Sequence, residues 1–129
     1  MPSRTGALLV HIVDDDESVR KGLSRLMRSA GIESHAYASP ESFLAEPHNE
    51  RNACIIMDIT MPRMGGLEFG AELKARGIGL PVIAVSARDD DDTRHLAREL
   101  GVRFFLRKPV DDQALLDAIS WVVGAGSAS

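Results

Sequence analysis

Short apolar runs recur along the chain at fairly even spacing: Leu8–Val13, Glu33–Ala38, Ala53–Met57, Pro81–Val85 and Phe104–Leu106. The segments between them carry a helical period. Val19, Leu23, Leu26, Met27 and Ala30 fall on one helical face, and Gly31 predicts the stop. Ser39-Pro40-Glu41 opens a short second helix, because the Ser39 hydroxyl can cap free amides and Pro40 has no amide to lose in a first turn. Gly66 to Arg76 predicts a third helix ended by Gly77, and Asp91 to Leu100 a fourth ended by Gly101. Leu115, Leu116, Ala118, Ile119, Val122 and Val123 mark a fifth.

Strands that alternate with helices predict an α/β protein whose parallel sheet is covered on both faces. The first, third and fourth runs are the most continuously apolar, as central strands must be. The second, Glu33-Ser34-His35-Ala36-Tyr37, is mixed and suits an edge. A flavodoxin-like, doubly wound five-stranded sheet of order 2-1-3-4-5 with five helices accommodates this pattern and places chemistry at the carboxyl ends of the strands. The expected domain is residues 1–123. Residues 124–129 are small and read as a frayed end or the start of a linker.

With 129 residues there is room for one domain, and 44% hydrophobic residues can build its core. A net charge of −4 without a Lys/Arg-rich block opposes nonspecific nucleic-acid binding. Leu8–Val13 is too short for a signal core or a membrane span. The single Cys54 cannot form an internal disulfide, which fits a reducing compartment, and within an apolar strand it reads as inert packing. We therefore expect a cytoplasmic protein. His11, His35, His48 and His95 lack metal-ligand spacing and are assigned no site.

Polar groups stand at four strand ends: Asp14-Asp15-Asp16-Glu17, Asp58, Ser86 and Lys108-Pro109. Converging carboxylates repel, and a hard divalent cation such as Mg²⁺ relieves that repulsion. A carboxylate can also attack phosphorus to give an acyl phosphate, whose oxygens need cationic and hydroxyl partners. Lys108 and Ser86 have the chemistry to be those partners. Lys108 precedes a proline, and a cis bond there would aim the amine inward.

In order and spacing, Val13-Asp14-Asp15-Asp16, Met57-Asp58-Ile59-Thr60-Met61-Pro62-Arg63-Met64-Gly65-Gly66, Val85-Ser86-Ala87 and Leu106-Arg107-Lys108-Pro109 resemble a response-regulator receiver domain over roughly Leu8 to Val123. The resemblance is strongest to receivers that precede helix-turn-helix output domains. It implies a two-component or phosphorelay protein that takes a phosphoryl group from a histidine kinase or phosphotransfer protein onto Asp58. It places Asp15 directly on Mg²⁺, Asp14 mainly through water, and the Thr60 backbone carbonyl as a further ligand. Ser86 would meet one phosphoryl oxygen and Lys108 another. Phe105 takes the aromatic switch position, where a tyrosine is common, so no hydroxyl readout exists here. Such a protein catalyses its own phosphorylation and dephosphorylation but signals rather than metabolises. A homodimer through the fourth helix, fifth strand and fifth helix is the implied partner contact. Neither nucleic acid nor membrane is an expected partner of this chain, and a stand-alone regulator is slightly preferred over a piece of a longer one.

Two rivals stand against this reading. A haloacid-dehalogenase-type phosphatase would use Asp14-x-Asp16 with Ser86, Lys108 and Asp111-Asp112, but it leaves Asp58 and the motif after it unexplained. A degenerate receiver acting only as a binding module would lack the acid pair, the acceptor or the lysine, and all are present. The acidic run Asp89–Asp92 reads as a solvated helix start, favoured by the helix dipole.

Overall fold

The computed structural model describes residues 8–48, 52–60 and 66–128, with only the backbone described at 66, 67 and 125–128. Five strands, β1 (Leu9–Val13), β2 (Glu33–Tyr37), β3 (Ala53–Asp58), β4 (Val82–Ser86) and β5 (Phe104–Arg107), alternate with α1 (Glu17–Ser29), α2 (Pro40–Leu44), α3 (Gly66–Ala75), α4 (Asp91–Leu100) and α5 (Asp112–Ala128). All strands pair in parallel, in the order β2-β1-β3-β4-β5. This is the expected flavodoxin-like sheet, with the polar second strand at an edge.

The period-two alternation of side chains sorts the core into two layers. Along β3, Cys54 and Ile56 join Val10, Ile12, Met27, Leu115 and Ile119 under α1 and α5. Ile55 and Met57 join Val13, Phe43, Phe69 and Ala97 under α2, α3 and α4. Every residue of β3 is buried, which is why that run carries no alternating polar position. Cys54 is fully buried and its thiol is pushed up to about 12 by desolvation, in keeping with inert packing.

Helix ends follow local chemistry. Asp16, Ser39 and Asp90 cap α1, α2 and α4 with side-chain oxygens that accept backbone amides. Gly31 and Gly101 leave α1 and α4 at φ of 74° and 79°, a region that penalises any Cβ. Ala30 is exposed at the C-cap of α1 rather than on the apolar face its spacing suggested. The backbone of α5 continues helically through Ala128, across the small residues read from the sequence as a tail.

Candidate functional site

The strand registers assemble the site. β1 pairs with β3 so that Val13 lies beside Met57, which carries the next residues, Asp14 and Asp58, to neighbouring positions at the sheet's carboxyl edge. The Asp14 amide donates to the Tyr37 carbonyl at 3.1 Å, extending the β1–β2 pairing to this residue. On the other side Ser86 lies beside Arg107, and the Lys108 amide donates to the Ser86 carbonyl at 2.8 Å. Lys108 must then reach across β4, about 10 Å at ordinary strand spacing, to meet the carboxylates. It does so: Nζ lies 3.0 Å from Asp14 Oδ2 and 2.9 Å from Asp58 Oδ2. The Lys108–Pro109 bond is cis.

The two bridged carboxylates are buried, Asp14 at 1% and Asp58 at 8% exposure, and they titrate in opposite directions. At Asp14 desolvation outweighs the bonds from the Asp16 amide and Lys108, and the pKa is raised. At Asp58 burial also pushes upward, but Lys108 and two bonds from Thr60 outweigh it, so the carboxylate is held ionised below its ordinary value. The Thr60 amide and hydroxyl donate to Asp58 Oδ1 at 2.8 and 2.7 Å. Burial works against the Lys108 ammonium too, and the paired carboxylates overcome it. Asp15 is exposed beside them, and the carboxylate oxygens of Asp14, Asp15 and Asp58 come within 4.8 Å of one another.

This donor set is made of hard oxygens. Three carboxyl groups gather around one ammonium, an excess of acidic groups that a hard divalent cation would offset. The cluster therefore fits a cation site.

The next acidic residues turn away from it. Asp16 Oδ1 accepts the Ser18 amide at 2.8 Å as the cap of α1, and Asp111 Oδ2 accepts the Ala114 amide at 2.9 Å at the start of α5. Two carboxylates that a dehalogenase-type centre would need are thus used as helix caps.

Ser86 is fully buried at the end of β4, one residue beyond the run read from the sequence, and its Oγ accepts the Arg88 amide at 3.0 Å. Phe105 is half-buried in β5, with the Arg94 guanidinium 5.4 Å from its ring centroid. Arg94 also pairs with Asp89, so the acidic run is only partly solvated: Asp89 is engaged and Asp90 caps α4 through Thr93 at 2.8 Å. Leu115 is fully buried in the layer of core under α1 and α5. Met61–Gly65 of the acceptor motif lie outside the described residues.

No spacing in the sequence pointed to two arginines that touch this region. Arg94 reaches Phe105 from another element, and Arg20 Nη1 donates to the Asp14 carbonyl at 2.8 Å. Nor did spacing show that His11 and His48 meet Phe43, with the His48 and Phe43 rings stacked at 3.9 Å, while His35 lies edge-on to His11.

A parallel sheet with two acidic strand ends and a lysine spanning them defines a protein of the phosphoacceptor class. Comparison with known proteins agrees: residues 10–120 match the model of the response regulator receiver domain, and the chain belongs to that family. It is 36% identical over 118 residues to the transcriptional regulatory protein FixJ of Azorhizobium caulinodans, an overlap of 92% of this chain and 56% of that one. It is 34% identical over 113 residues to the response regulator protein TodT of Pseudomonas putida, covering 88% of this chain and 50% of TodT. The chain thus spans about half the length of the curated relatives it matches. Among solved structures, the response regulator StyR superposes with a TM-score of 0.83 at 37% identity, over 95% of this chain and 62% of StyR. FixJ-N superposes at 0.81 with 32% identity, over 91% of this chain and 94% of that one. Receivers are two-component signalling modules that catalyse the gain and loss of their own phosphoryl group rather than metabolic enzymes, and this chain has their architecture and acidic cluster. Among the described residues no helix is long and apolar enough to cross a membrane.

Proposed function

We propose that Asp58 is the phosphoacceptor and that its donor is a phosphohistidine on a histidine kinase or phosphotransfer protein. An Asp58 carboxylate oxygen forms the new P–O bond while the P–N bond to the donor imidazole breaks. The bonding pair leaves with the imidazole nitrogen. The observation that carries this reading is the position of Lys108 Nζ, within 3.0 Å of both Asp14 and Asp58, beside a carboxylate that Thr60 helps keep ionised. An ionised carboxylate is the competent nucleophile, and a fixed ammonium beside it can pair with a phosphoryl oxygen as charge develops.

Asp14, Asp15, Asp58 and the Thr60 carbonyl would hold Mg²⁺. When bound, the ion neutralises the carboxylates and orients acceptor and phosphoryl oxygens. Ser86 serves as the hydroxyl partner of the phosphoryl group, and its movement frees space for Phe105 to turn inward. That repacks α4, β5 and α5, the face on which a partner or a second copy docks. Residues 1–123 form this receiver, with 124–129 leading out of it, and the protein works in the cytoplasm. The relatives' names make transcriptional control the output to examine first.

The test is intact-mass measurement after incubation with acetyl phosphate, with and without Mg²⁺. Wild type should gain one phosphoryl mass only with Mg²⁺, and Asp58→Asn should gain none. A label that persists in Asp58→Asn places the acceptor elsewhere.

A further inference from the structure

Asp15 is the exposed member of the acidic cluster, and among the described residues no hydrogen bond or ion pair holds its carboxylate. Its direction is therefore set by its backbone. The preceding residue is fastened by three groups. The Asp14 amide donates to Tyr37, its Oδ1 accepts the Asp16 amide at 2.9 Å, and its Oδ2 accepts from Lys108. The bond from the Asp16 amide closes a turn around the peptide joining Asp14 to Asp15, but none of the three engages that peptide's own carbonyl. The group on that peptide is Arg20 Nη1, which donates to the Asp14 carbonyl at 2.8 Å from the second turn of α1.

We infer that Arg20 is a positioning residue of the cation site: by holding the Asp14 carbonyl, it orients the peptide that presents the Asp15 carboxylate. The inference rests on the reading of Asp14, Asp15 and Asp58 as a divalent-cation site. Charge alone argues the other way, since a guanidinium beside such a site repels the ion. Losing the arginine should tighten binding if it acts only through its charge, and weaken it if it acts by positioning. The two accounts differ in sign.

The experiment is a Mg²⁺ titration of the full chain followed by amide NMR shifts, with thermal melts as a check on folding. Arg20→Met keeps much of the apolar stem but neither charge nor donor. Its Kd for Mg²⁺ should rise about tenfold, the lower end of what outer partners of metal ligands contribute. Arg20→Lys, which can still donate, should recover most of that loss. Without metal, the Asp15 amide resonance should move in Arg20→Met and return toward wild type in Arg20→Lys. Should Arg20→Met fail to fold, Arg20→Leu, likewise without charge or donor, replaces it, and weaker Mg²⁺ binding is again the expected result. Equal or tighter binding by the neutral variant overturns the inference, as does a lysine variant that recovers nothing or an Asp15 amide that does not move. Asp15→Asn separates the two levels. If it weakens Mg²⁺ while the Arg20 variants do not, only the role of Arg20 falls. If it binds Mg²⁺ as wild type does, the cation reading fails and takes this inference with it.

Discussion

Lys108 contacts two carboxylates that differ in how much else holds them. Asp58 has the Thr60 amide and hydroxyl in addition, whereas Asp14 is more deeply buried with one backbone bond. Their opposite pKa directions have opposite consequences for stability. A carboxyl group whose folded pKa is lowered stabilises the fold above its unfolded pKa, and this is lost as pH falls through the folded value. A raised folded pKa does the reverse: stability drops as pH rises from the unfolded value of about 3.8 through the folded one. The metal-free Asp14→Asn protein should therefore melt higher than wild type at pH 7. That advantage should shrink as pH falls through the folded pKa of Asp14 and vanish below the unfolded value. Melts across pH check this, and a variant less stable at pH 7 contradicts it. At this scale the sequence was informative for residues placed by strand ends, which is why Asp14, Asp15, Asp58 and Lys108 could be named together. Arg20 and Arg94 were invisible because their contacts depend on side-chain direction across elements, which no spacing encodes.

Among the elements, α1 shows where local chemistry suffices and where it is compromised. Asp16 caps it and Glu17 sits in its first turn, where the sequence was read only as an acidic cluster, and Gly31 ends it as the sequence predicts. In its interior stands Gly22, exposed, with nothing within 4 Å of where a Cβ would lie. Glycine there loses more backbone entropy than alanine and gains no packing in exchange. Gly22→Ala should stabilise the protein by about 0.5–1 kcal/mol, measured as a higher urea midpoint at unchanged slope. No gain would mean that some partner needs the space. Boundaries were less legible than elements. The third helix ends two residues before Gly77 and the fourth directly before Gly101, but β4 runs on to include Ser86. Its last residue is polar, and apolar pattern alone cannot count such a residue into a strand. The end of α5 was hidden for a related reason, since small residues carry no periodic signal and continue a helix as readily as they leave one.

For the molecule as a whole, edge and central strands were legible because the second run is mixed and three others are continuously apolar, while the full order was only one that accommodates this pattern. The two-sided core followed from the same contrast. What composition could not convey was the excess negative charge gathered at one end of the sheet. A cation that binds the folded state and not the unfolded one adds stability by mass action, about 2.7 kcal/mol at a hundred times its Kd. Raising Mg²⁺ at constant ionic strength should thus raise the melting temperature of wild type, and chelator should reverse it. Asp15→Asn should respond weakly, and an equal response would argue for binding elsewhere.

The sheet order also sets a timetable. β1 ends at Val13, yet its inner neighbour β3 closes only at Asp58, and Lys108 lies fifty residues further on. At about 5–20 residues per second of synthesis, the interval from Val13 to Asp58 lasts roughly 2–9 s. Through that time Val10 and Ile12, both destined for complete burial, lack their inner partner strand. The carboxylates and the lysine that bridges them come together only after β5 has been made. A chain cut between Asp58 and Lys108 therefore has both carboxylates but not the ammonium that bridges them, and β1 waits for its inner partner while the chain grows.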